Sequence, residues 1–538
     1  MLNYLNPGGA RFQKSLNSEI YVDKSMLIEK TNRAIDTTQR YLCLSRPRRF
    51  GKTMAAEMLS AYYSYGCERE KLFRELAIYQ TSSYKEHIDQ HDCILINVQE
   101  FLSNSTDVFD LIYNITSALH REFVQAYPTI HFVDSSRLNE IMKDVYRATG
   151  RTFIILIDEW DCLFREYRED LDAQKTYLDF LRMWLKDQVY VGLAYMTGIL
   201  PIKKYGTHSA LNMFYEYSMT EPSGYAKYFG FTEEEVFHLS EIYHAPFDLL
   251  KQWYDGYHML YREGIGFASK QELVSMYSPK SLIEAITRGS LGTYWNQTET
   301  YEALKHYIQM NMDGLKDAIV MMLSGGEVEI RTETFANDMT HLISSDDVLT
   351  LLVHLGYLTY NESTKTVSIP NKEVSIEYVN AIRNLDWSEV MKSIDQSKAL
   401  VHSIWSKQDQ DVARMIEKVH QEISILQYND ENSLSCVIGL ALYYAKEYYT
   451  MIREFPSGKG YADIVLIPRL NHTDKPAIVM ELKWDVTAEG AIQQIKDRRY
   501  VDALKEYHGD LLLVGVNYNK KSKIHECVIE EFRIISDK

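Results

Sequence analysis

The chain has 538 residues, of which 46% are hydrophobic and 25% charged, a composition typical of soluble globular proteins. At ~150 residues per domain, this length predicts about three domains. The formal net charge of −17 argues against a chain that coats nucleic acid over its whole surface, although residues 430–538 carry fifteen Lys and Arg against seventeen Asp and Glu. No apolar run reaches the ~18–20 residues of a membrane span, and the first ten residues lack a targeting pattern, so we expect a cytoplasmic protein.

A loop rich in arginine follows the first predicted strand. Residues 41–44 form an apolar run typical of a buried strand, residues 54–59 predict a helix, and the loop between them reads Ser-Arg-Pro-Arg-Arg-Phe-Gly-Lys-Thr. In this setting backbone N–H groups at the start of a helix bind phosphates, a lysine reaches the β and γ oxygens, and a hydroxyl holds magnesium. Lys52 and Thr53 match the last two roles. The rest of the predicted nucleotide-binding loop is Arg48, Arg49, Phe50 and Gly51.

Taken alone, the Gly-Lys-Thr tripeptide leaves two interpretations open. It departs from the general G-x-x-x-x-G-K-[ST] pattern because Arg46 stands in place of the first glycine. The alternative to a phosphate site is an ordinary helix start with an exposed lysine. A second motif is therefore needed to favour a nucleotide site.

That second motif is a pair of carboxylates at the end of an apolar run. Residues 153–157 predict a continuous buried strand, and Asp158 and Glu159 follow it directly. Active sites of open α/β sheets lie at the carboxyl ends of their strands. Asp158 would hold Mg²⁺ through water, and Glu159 would orient or deprotonate the attacking water. The alternative, a helix N-cap, loses support because both motifs occur in the expected order.

Further strands alternate with helices along this part of the chain. Residues 91–98 and 190–198 are strand-like, and residues 108–127 and 136–148 are amphipathic. Strands that alternate with helices indicate a parallel, doubly wound sheet. We therefore predict an α/β fold of the P-loop NTPase type for the first part of the chain.

Four segments together resemble a bacterial AAA-ATPase-like family that carries a C-terminal PD-(D/E)XK nuclease-type domain. They are Tyr-Val-Asp-Lys-Ser at 21–25, the loop at 45–53, Leu-Ile-Asp-Glu-Trp-Asp at 156–161 and Thr-Gly-Ile at 197–199. The arginine-rich loop without its first glycine is part of this family's pattern, whereas Trp160 stands where we would expect a tyrosine. The resemblance covers nearly the whole chain.

The resemblance implies roles for two of these segments. Residues 21–25 would lie beside the adenine, or alternatively Asp23 begins an N-capped helix. Thr197 would sense the γ-phosphate and position water, or it is a strand-end threonine that begins a turn. Both pairs of alternatives stay open.

Changes in the predicted pattern of helices and strands divide the chain into five parts. Residues 231–342 change to a helical pattern that starts with the strong capping signal Thr-Glu-Glu-Glu-Val, and a helix at 346–358 then precedes a hairpin pattern. A helix followed by a hairpin is typical of a winged-helix module. Winged helices often bind DNA, but the helix of this module has few basic residues, so we favour an internal packing or relay role. The parts are an ATPase core (1–230), a helical lid (231–342), a winged-helix-like module (343–385), a helical connector (386–428) and a restriction-endonuclease-like α/β domain (429–538).

Two further carboxylates lie on neighbouring predicted strands of the last part. Asp463 opens one strand after a glycine-bearing turn, and the next strand ends in Glu481-x-Lys483. Period two places Glu481 and Lys483 on one face, and strand pairing brings Asp463 beside Glu481. Two carboxylates suit Mg²⁺ or Mn²⁺, and Lys483 would orient water and stabilise the transition state. This is the D…E-x-K core of PD-(D/E)XK nucleases, and its alternative is a surface ion pair.

Flanking residues extend the predicted nuclease-like domain. Glu431 lies on a predicted apolar helix face and would point inward as a supporting metal ligand. Gln494 and Tyr500 occupy places that match the family. The basic stretches at 496–499 and 520–523 either form a path for nucleic acid or are simply solvated.

The leading hypothesis is an ATPase coupled to a metal-dependent nuclease that acts on DNA more readily than on RNA. It would use ATP with Mg²⁺, and Mg²⁺ or Mn²⁺ at the nuclease site; a homo-oligomer is compatible with it, and no membrane partner is expected. One alternative is a nucleotide-driven switch whose nuclease-like domain binds nucleic acid or a partner without cutting. Another is an ATPase domain in which Arg46, Arg48 and Arg49 bind nucleotide tightly and hydrolysis is slow. The intact set of Asp463, Glu481 and Lys483 favours the leading hypothesis.

Overall fold

The computed structural model divides the chain into two compact units. One comprises Met1–Thr300 with Glu329–Val374, and the other comprises Tyr301–Val328 with Ser375–Lys538. No helix among the residues described is long and apolar enough to cross a membrane. The residues described are 2–66, 70–202, 211–264, 269–295, 300–310, 312–336, 339, 342–383, 385, 387–422, 437–457, 460–498, 500, 510–522 and 524–532.

The first unit is built on a five-stranded parallel sheet in the order β2-β3-β4-β1-β5. Its strands β1, β3 and β4 are buried along their whole length, because each is a near-continuous apolar run covered on both faces. The predicted doubly wound sheet is therefore confirmed. Its strands are β1 (Tyr41–Ser45), β2 (Asp92–Asn97), β3 (Phe153–Asp158), β4 (Val191–Gly198) and β5 (Tyr215–Tyr217).

Helices cover this sheet, and two of them match the predicted amphipathic segments. One of these two, α7, buries Leu111, Ile115 and Leu119, which are spaced four apart and so lie on one face. The helices are α1 (Ala10–Leu16), α2 (Met26–Asn32), α3 (Lys52–Tyr63), α4 (Glu70–Phe73), α5 (Tyr84–His87), α6 (Val98–Leu102), α7 (Val108–Ala126), α8 (Leu138–Thr149), α9 (Cys162–Glu166) and α10 (Leu171–Leu185).

The segment that follows begins at the predicted capping box, where Thr232 and Glu235 each bond the other's backbone N–H. It also contains an antiparallel sheet in the order β6-β8-β7, which the helical prediction did not include. Tyr257 and Met259 are buried two residues apart, which is the spacing of one face of a strand, and aromatic residues such as Tyr257 favour strands. The elements are β6 (Phe231–Thr232), α11 (Glu233–Ile242), α12 (Phe247–Tyr254), β7 (Tyr257–Glu263), β8 (Lys270–Tyr277) and α13 (Pro279–Arg288).

The predicted helix and hairpin are present in the next segment. The helix ends at Gly356, whose positive φ of 85° suits a residue without a side chain, and strands β10 and β11 then pair antiparallel. The elements from residue 300 onward are α14 (Thr300–Ile308), α15 (Leu315–Leu323), β9 (Val328–Glu329), α16 (Ser345–Leu355), β10 (Thr359–Asn361), β11 (Thr366–Ser368), α17 (Lys372–Arg383), α18 (Ser388–Trp405) and α19 (Asp409–Glu422).

The second unit contains a mixed sheet in the order β12-β13-β14-β15-β16. Only β14 and β15 pair parallel within it among the strands described, and a helix between them packs Ile492 and Ile495 against Val479 and Leu513. The predicted hairpin and the small mixed sheet are confirmed, whereas the five-part division of the chain stays a prediction. The elements are β12 (Tyr449–Ser457), β13 (Gly460–Pro468), β14 (Ala477–Trp484), α20 (Ala488–Asp497), β15 (Leu511–Asn519) and β16 (Ile524–Phe532).

Candidate functional site

The loop between β1 and α3 begins the candidate site of the first unit. Gly51 is the N-cap of α3 with φ of 92°, a left-handed conformation that glycine adopts without strain. Lys52 and Thr53 form the first turn of the helix, so their backbone N–H groups face the loop. This is the geometry that binds phosphate at a helix N-terminus.

Lys52 is buried beneath this loop. Its Nζ donates hydrogen bonds to the carbonyl oxygens of Arg46 at 2.9 Å and Pro47 at 3.0 Å. Burial lowers the pKa of Lys52, and the nearby carboxylates, Glu159 first among them, act in the opposite direction. The ammonium group of Lys52 therefore bonds two carbonyl oxygens of the loop, whereas the N–H groups at the start of α3 stay directed toward the loop.

Asp158 is the point at which the predicted residues converge. Thr53 Oγ1 donates to Asp158 Oδ2 at 2.7 Å, and Thr197 Oγ1 donates to Asp158 Oδ1 at 2.5 Å. Asn97, which pairs with Asp158 across β2 and β3, donates from Nδ2 to Oδ2 at 3.3 Å. Three strand ends and the start of α3 thus meet at one carboxylate, which is 1% exposed.

Glu159 follows Asp158 and lines the cleft in front of the loop. Its φ of 54° is in the left-handed region, which is uncommon for a residue other than glycine. Its carboxylate forms an ion pair with Arg165 from α9. Burial raises the pKa of Glu159, with Lys52 as the largest opposing influence.

Two arginines of the loop donate hydrogen bonds to backbone carbonyls. Arg46 is fully buried, and its Nη1 donates to the carbonyls of Ser45 at 2.8 Å and Tyr217 at 2.9 Å. Burial lowers the pKa of Arg46 to about 10. Arg49 donates from Nη1 to the carbonyls of Tyr294 and Trp295 at 2.7 and 3.1 Å. These side chains hold the loop to neighbouring segments.

A cleft of about 1050 Å³ opens in front of the loop. Cationic and acidic side chains both line it, and the start of α13 forms part of its wall through Lys280. Of the predicted nucleotide-binding loop, Phe50 is the residue that does not line this cleft. The predicted site residues that line the cleft are Arg48, Arg49, Gly51, Lys52, Thr53 and Glu159.

A small apolar pocket of about 80 Å³ adjoins the cleft and shares Gly51 and Met54 with it. Tyr21 and Val22 line this pocket, as does Phe50, whose ring packs edge-on to another ring. The neighbouring Asp23 does not cap α2, because its carboxylate accepts from the backbone N–H groups of residues 25 and 77, both at 2.7 Å.

A second candidate site lies in the other unit, where β13 pairs with β14. Asp463 Oδ2 accepts from the backbone N–H of Leu482 at 2.6 Å, which places it beside Glu481. Glu481 Oε1 accepts from Lys483 Nζ at 3.1 Å and from Gln494. Since Glu481 is 2% exposed, its contact with Lys483 is not a surface ion pair.

The other oxygen of Glu481, Oε2, is buried without a hydrogen-bond partner among the residues described. Burial and then the charge of Asp463 raise the pKa of Glu481 to about 7. Gln494 also reaches the hydroxyl of Tyr500 at 3.4 Å, so the predicted flanking residues lie at this site. Glu431, the predicted supporting ligand, lies outside the described residues, as do Arg499 and Lys523.

Comparison with known proteins identifies both regions. Residues 10–207 match the family described as Predicted AAA-ATPase, and residues 429–527 match the PD-(D/E)XK nuclease superfamily. The chain carries an AAA-ATPase-like domain and a C-terminal nuclease-superfamily domain. An uncharacterized protein in the vnfD 5′ region of Azotobacter chroococcum mcd 1 is 22% identical over 528 residues, covering 93% of this chain and 94% of that protein.

A solved structure of the Aeropyrum pernix ORC2 protein, described as ADPNP-ADP complexes, is 11% identical to this chain. The match covers 68% of this chain and 96% of that one, with a TM-score of 0.32. At that TM-score the likeness supports no conclusion about function. The two domain matches themselves suggest nucleotide binding and nuclease chemistry.

The donor sets of both domains fit a hard divalent cation. In the AAA-ATPase-like domain the Thr53 hydroxyl and the Asp158 carboxylate lie 2.7 Å apart, as two oxygen ligands of one ion would. In the nuclease-superfamily domain the orphaned Oε2 of Glu481 lies beside a second carboxylate. Among the described residues, no group of three or more His, Cys, Asp and Glu side chains is placed to hold a metal.

Sequence reasoning missed two residues of the AAA-ATPase-like domain that line its cleft. Asn97 ends β2 as Asp158 ends β3, so the rule that located Asp158 also applies to it. Arg165 carries no such signal, because nothing in its sequence setting shows that α9 returns it to Glu159.

Proposed function

We propose that this chain binds and hydrolyses ATP in its AAA-ATPase-like domain and that the nucleotide controls metal-dependent cleavage of nucleic acid in its nuclease-superfamily domain. DNA is the substrate we favour over RNA. The observation that carries the proposal is the convergence of Thr53, Thr197 and Asn97 on Asp158 beside Glu159. The paired carboxylates at Glu481 support its second half.

In the first domain, Lys52 would exchange its two carbonyl partners for the β- and γ-phosphate oxygens. Thr53 and Asp158 would hold Mg²⁺, which neutralises phosphate charge when bound. Glu159 would take a proton from water as the water oxygen bonds to the γ-phosphorus. The bond between that phosphorus and the bridging oxygen breaks, and ADP leaves with the electron pair. Thr197 would orient the reacting groups by holding Asp158 in place.

In the second domain, Asp463 and Glu481 would hold Mg²⁺ or Mn²⁺, which supplies charge neutralisation at the scissile phosphate when bound. Lys483 already lies 3.1 Å from Glu481 Oε1. From there its ammonium group would orient the attacking water and stabilise the charge that develops on the phosphorus oxygens. Gln494 and Tyr500 would fix the Glu481 carboxylate.

The test is cleavage of single- and double-stranded DNA and RNA with Mg²⁺ or Mn²⁺, with and without ATP. We expect the parent to cut DNA, Lys483→Ala to abolish cutting, and ATP to change the rate. Lys392→Ala, which removes an exposed lysine of the same unit, is the matched control and should cut like the parent. Absence of cutting by the parent in every condition, with nucleic-acid binding retained, would instead support the nucleotide-driven switch.

A further inference from the structure

Arg165 is a buried cation in the wall of the nucleotide cleft with no role so far. It lies on α9, and its side chain is 9% exposed. It lines the same cleft as Lys52 and Glu159. A guanidinium group that is buried at this position has to be held by anions, and two are present.

The two anions hold Arg165 in different ways. Asp161 is fully buried, and its Oδ2 accepts from the backbone N–H groups of Ile199 at 3.0 Å and Leu200 at 2.8 Å. Arg165 Nε lies 3.4 Å from that same oxygen. Asp161 is therefore an anchor with a fixed position for one edge of the guanidinium group.

Glu159 is the second anion, and it contacts the other edge of the group through Nη2 of Arg165. Its side chain is 21% exposed and faces the cleft. Its backbone is fixed on both sides, because Trp160 N–H donates to the Thr197 carbonyl at 3.1 Å and Cys162 N–H donates to the Glu159 carbonyl at 3.1 Å. The side chain is thus the part of Glu159 that can change partner.

We propose that Arg165 is a positioning residue for ATP hydrolysis, which holds Glu159 against α9 in the nucleotide-free chain and releases it when the γ-phosphate arrives. The inference rests on the proposed ATPase function. A phosphate carries more negative charge than a carboxylate and accepts from a guanidinium group in the same forked geometry. Because Nε stays in the ion pair with Asp161, without a hydrogen bond to any described residue, Nη2 of Arg165 can exchange Glu159 for a phosphate oxygen.

Release of Glu159 has a direct chemical consequence. A carboxylate that is paired with a guanidinium group has its lone pairs occupied and accepts a proton poorly from water. Once released, Glu159 accepts the water proton while the water oxygen bonds to the γ-phosphorus and ADP departs with the electrons of the broken bond. The pair therefore makes hydrolysis depend on a bound triphosphate. Once Arg165 holds the γ-phosphate, it aligns the phosphorus with the water that Glu159 activates, so loss of Arg165 slows the step that Glu159 catalyses.

The test compares the parent with Arg165→Ala, Arg165→Lys and Glu159→Gln, and with the double variant Arg165→Ala/Glu159→Gln. Affinity for a fluorescent ATP analogue and single-turnover hydrolysis of ATP are measured with Mg²⁺. We expect Arg165→Ala to bind the analogue within a few-fold of the parent and to hydrolyse ATP at least ~10²-fold more slowly. Arg165→Lys should recover part of the rate, and Arg165→Ala should cause no further loss in the Glu159→Gln background.

The control is Arg182→Ala, which removes an arginine paired with Asp179 on the surface helix α10 and should behave as the parent. An active parent with an equally active Arg165→Ala overturns this inference alone. Equal loss of binding in both Arg165 variants, or additive losses in the double variant, also overturns it, since either shows a structural role. A parent that binds ATP without hydrolysing it overturns the ATPase function and the inference together.

Discussion

The hydroxyl of Thr197 donates to Asp158 Oδ1 at 2.5 Å, so the ends of β4 and β3 are joined by a buried hydrogen bond. Both residues are almost inaccessible to solvent, with Thr197 at 0% and Asp158 at 1% exposure. A buried carboxylate that loses a donor is destabilised by ~1–3 kcal/mol. The hydrogen bond from Thr197 therefore helps to hold Asp158 in position, in addition to any contact that Thr197 makes with a nucleotide.

Thr197→Val tests this contact, because valine keeps the branched shape and removes the hydroxyl. We expect ATP hydrolysis to fall ~10²-fold, the loss seen when a positioned donor is removed from an active site. Thr197→Ser keeps the hydroxyl and should stay within ~10-fold of the parent by the same reasoning. ADP release measures the rate, and a Thr197→Val protein as active as the parent would show that the hydroxyl serves only the fold.

A second prediction concerns Arg46, which stands where the general P-loop pattern has a glycine. The Arg46→Gly substitution restores the pattern but should destabilise the folded protein, because the buried guanidinium group bonds the carbonyls of Ser45 and Tyr217. We expect a loss of at least ~2 kcal/mol in the free energy of unfolding, from carbonyls left without donors. Urea unfolding measures it.

Arg48→Gly is the matched control for that variant. It introduces the same backbone freedom two residues along the loop, at a side chain that lines the cleft and is only half-buried. Its loss in stability should stay near the ~0.5–1 kcal/mol of a glycine substitution. Equal losses for the two variants would mean that the buried hydrogen bonds of Arg46 contribute nothing measurable.

Arg46 also shows how far sequence reasoning reaches. The sheet was predictable because residues 153–157 are apolar without interruption, and the carboxyl ends of parallel strands meet at one edge. That rule placed Asp158 at the site, and the family resemblance placed Thr197 beside it. The rule gave no direction for the side chain of Arg46, because an arginine in the loop before a glycine-lysine pair is as compatible with phosphate as with buried carbonyls.

The candidate nuclease site was predictable for a related reason. Strand alternation sets which side chains share a face, and this brought Glu481 and Lys483 together. Burial was not predictable, since Glu-x-Lys occurs on exposed strands as well. The pairing of Arg165 with Glu159 was beyond reach because it depends on the path of the chain between β3 and α9, for which the sequence has no periodic signal.

A third prediction separates metal binding from catalysis in the nuclease-superfamily domain. Glu481→Gln keeps the size of the side chain but removes its charge, and Mn²⁺ affinity measured by calorimetry should fall by more than ~10-fold. Lys483→Ala should bind Mn²⁺ within a few-fold of the parent while cleavage is lost, because the lysine is not a ligand. If both variants bind Mn²⁺ like the parent, the carboxylate pair is not a metal site.

The last prediction concerns pH and the buried His354 of α16. Burial, and then the charge of Arg46, lower the pKa of His354 to about 3, whereas the unfolded chain takes up this proton near pH ~6.5. The unfolded state therefore binds the proton first, so the stability contributed by the neutral imidazole is present above pH ~6.5 and is lost as the pH falls below it. The loss is ~1.4 kcal/mol per pH unit, or ~2 kcal/mol at pH 5.

His354→Leu removes this proton uptake, and it also removes Nδ1, which has no hydrogen-bond partner among the described residues. Urea unfolding of the parent and the variant at pH 7.5 and pH 5 should show that the parent loses ~2 kcal/mol more than the variant on acidification. The comparison of pH differences cancels any change in packing caused by leucine. Equal losses in the two proteins would mean that His354 is protonated in the folded chain at pH 5, which requires an anion or water beside it.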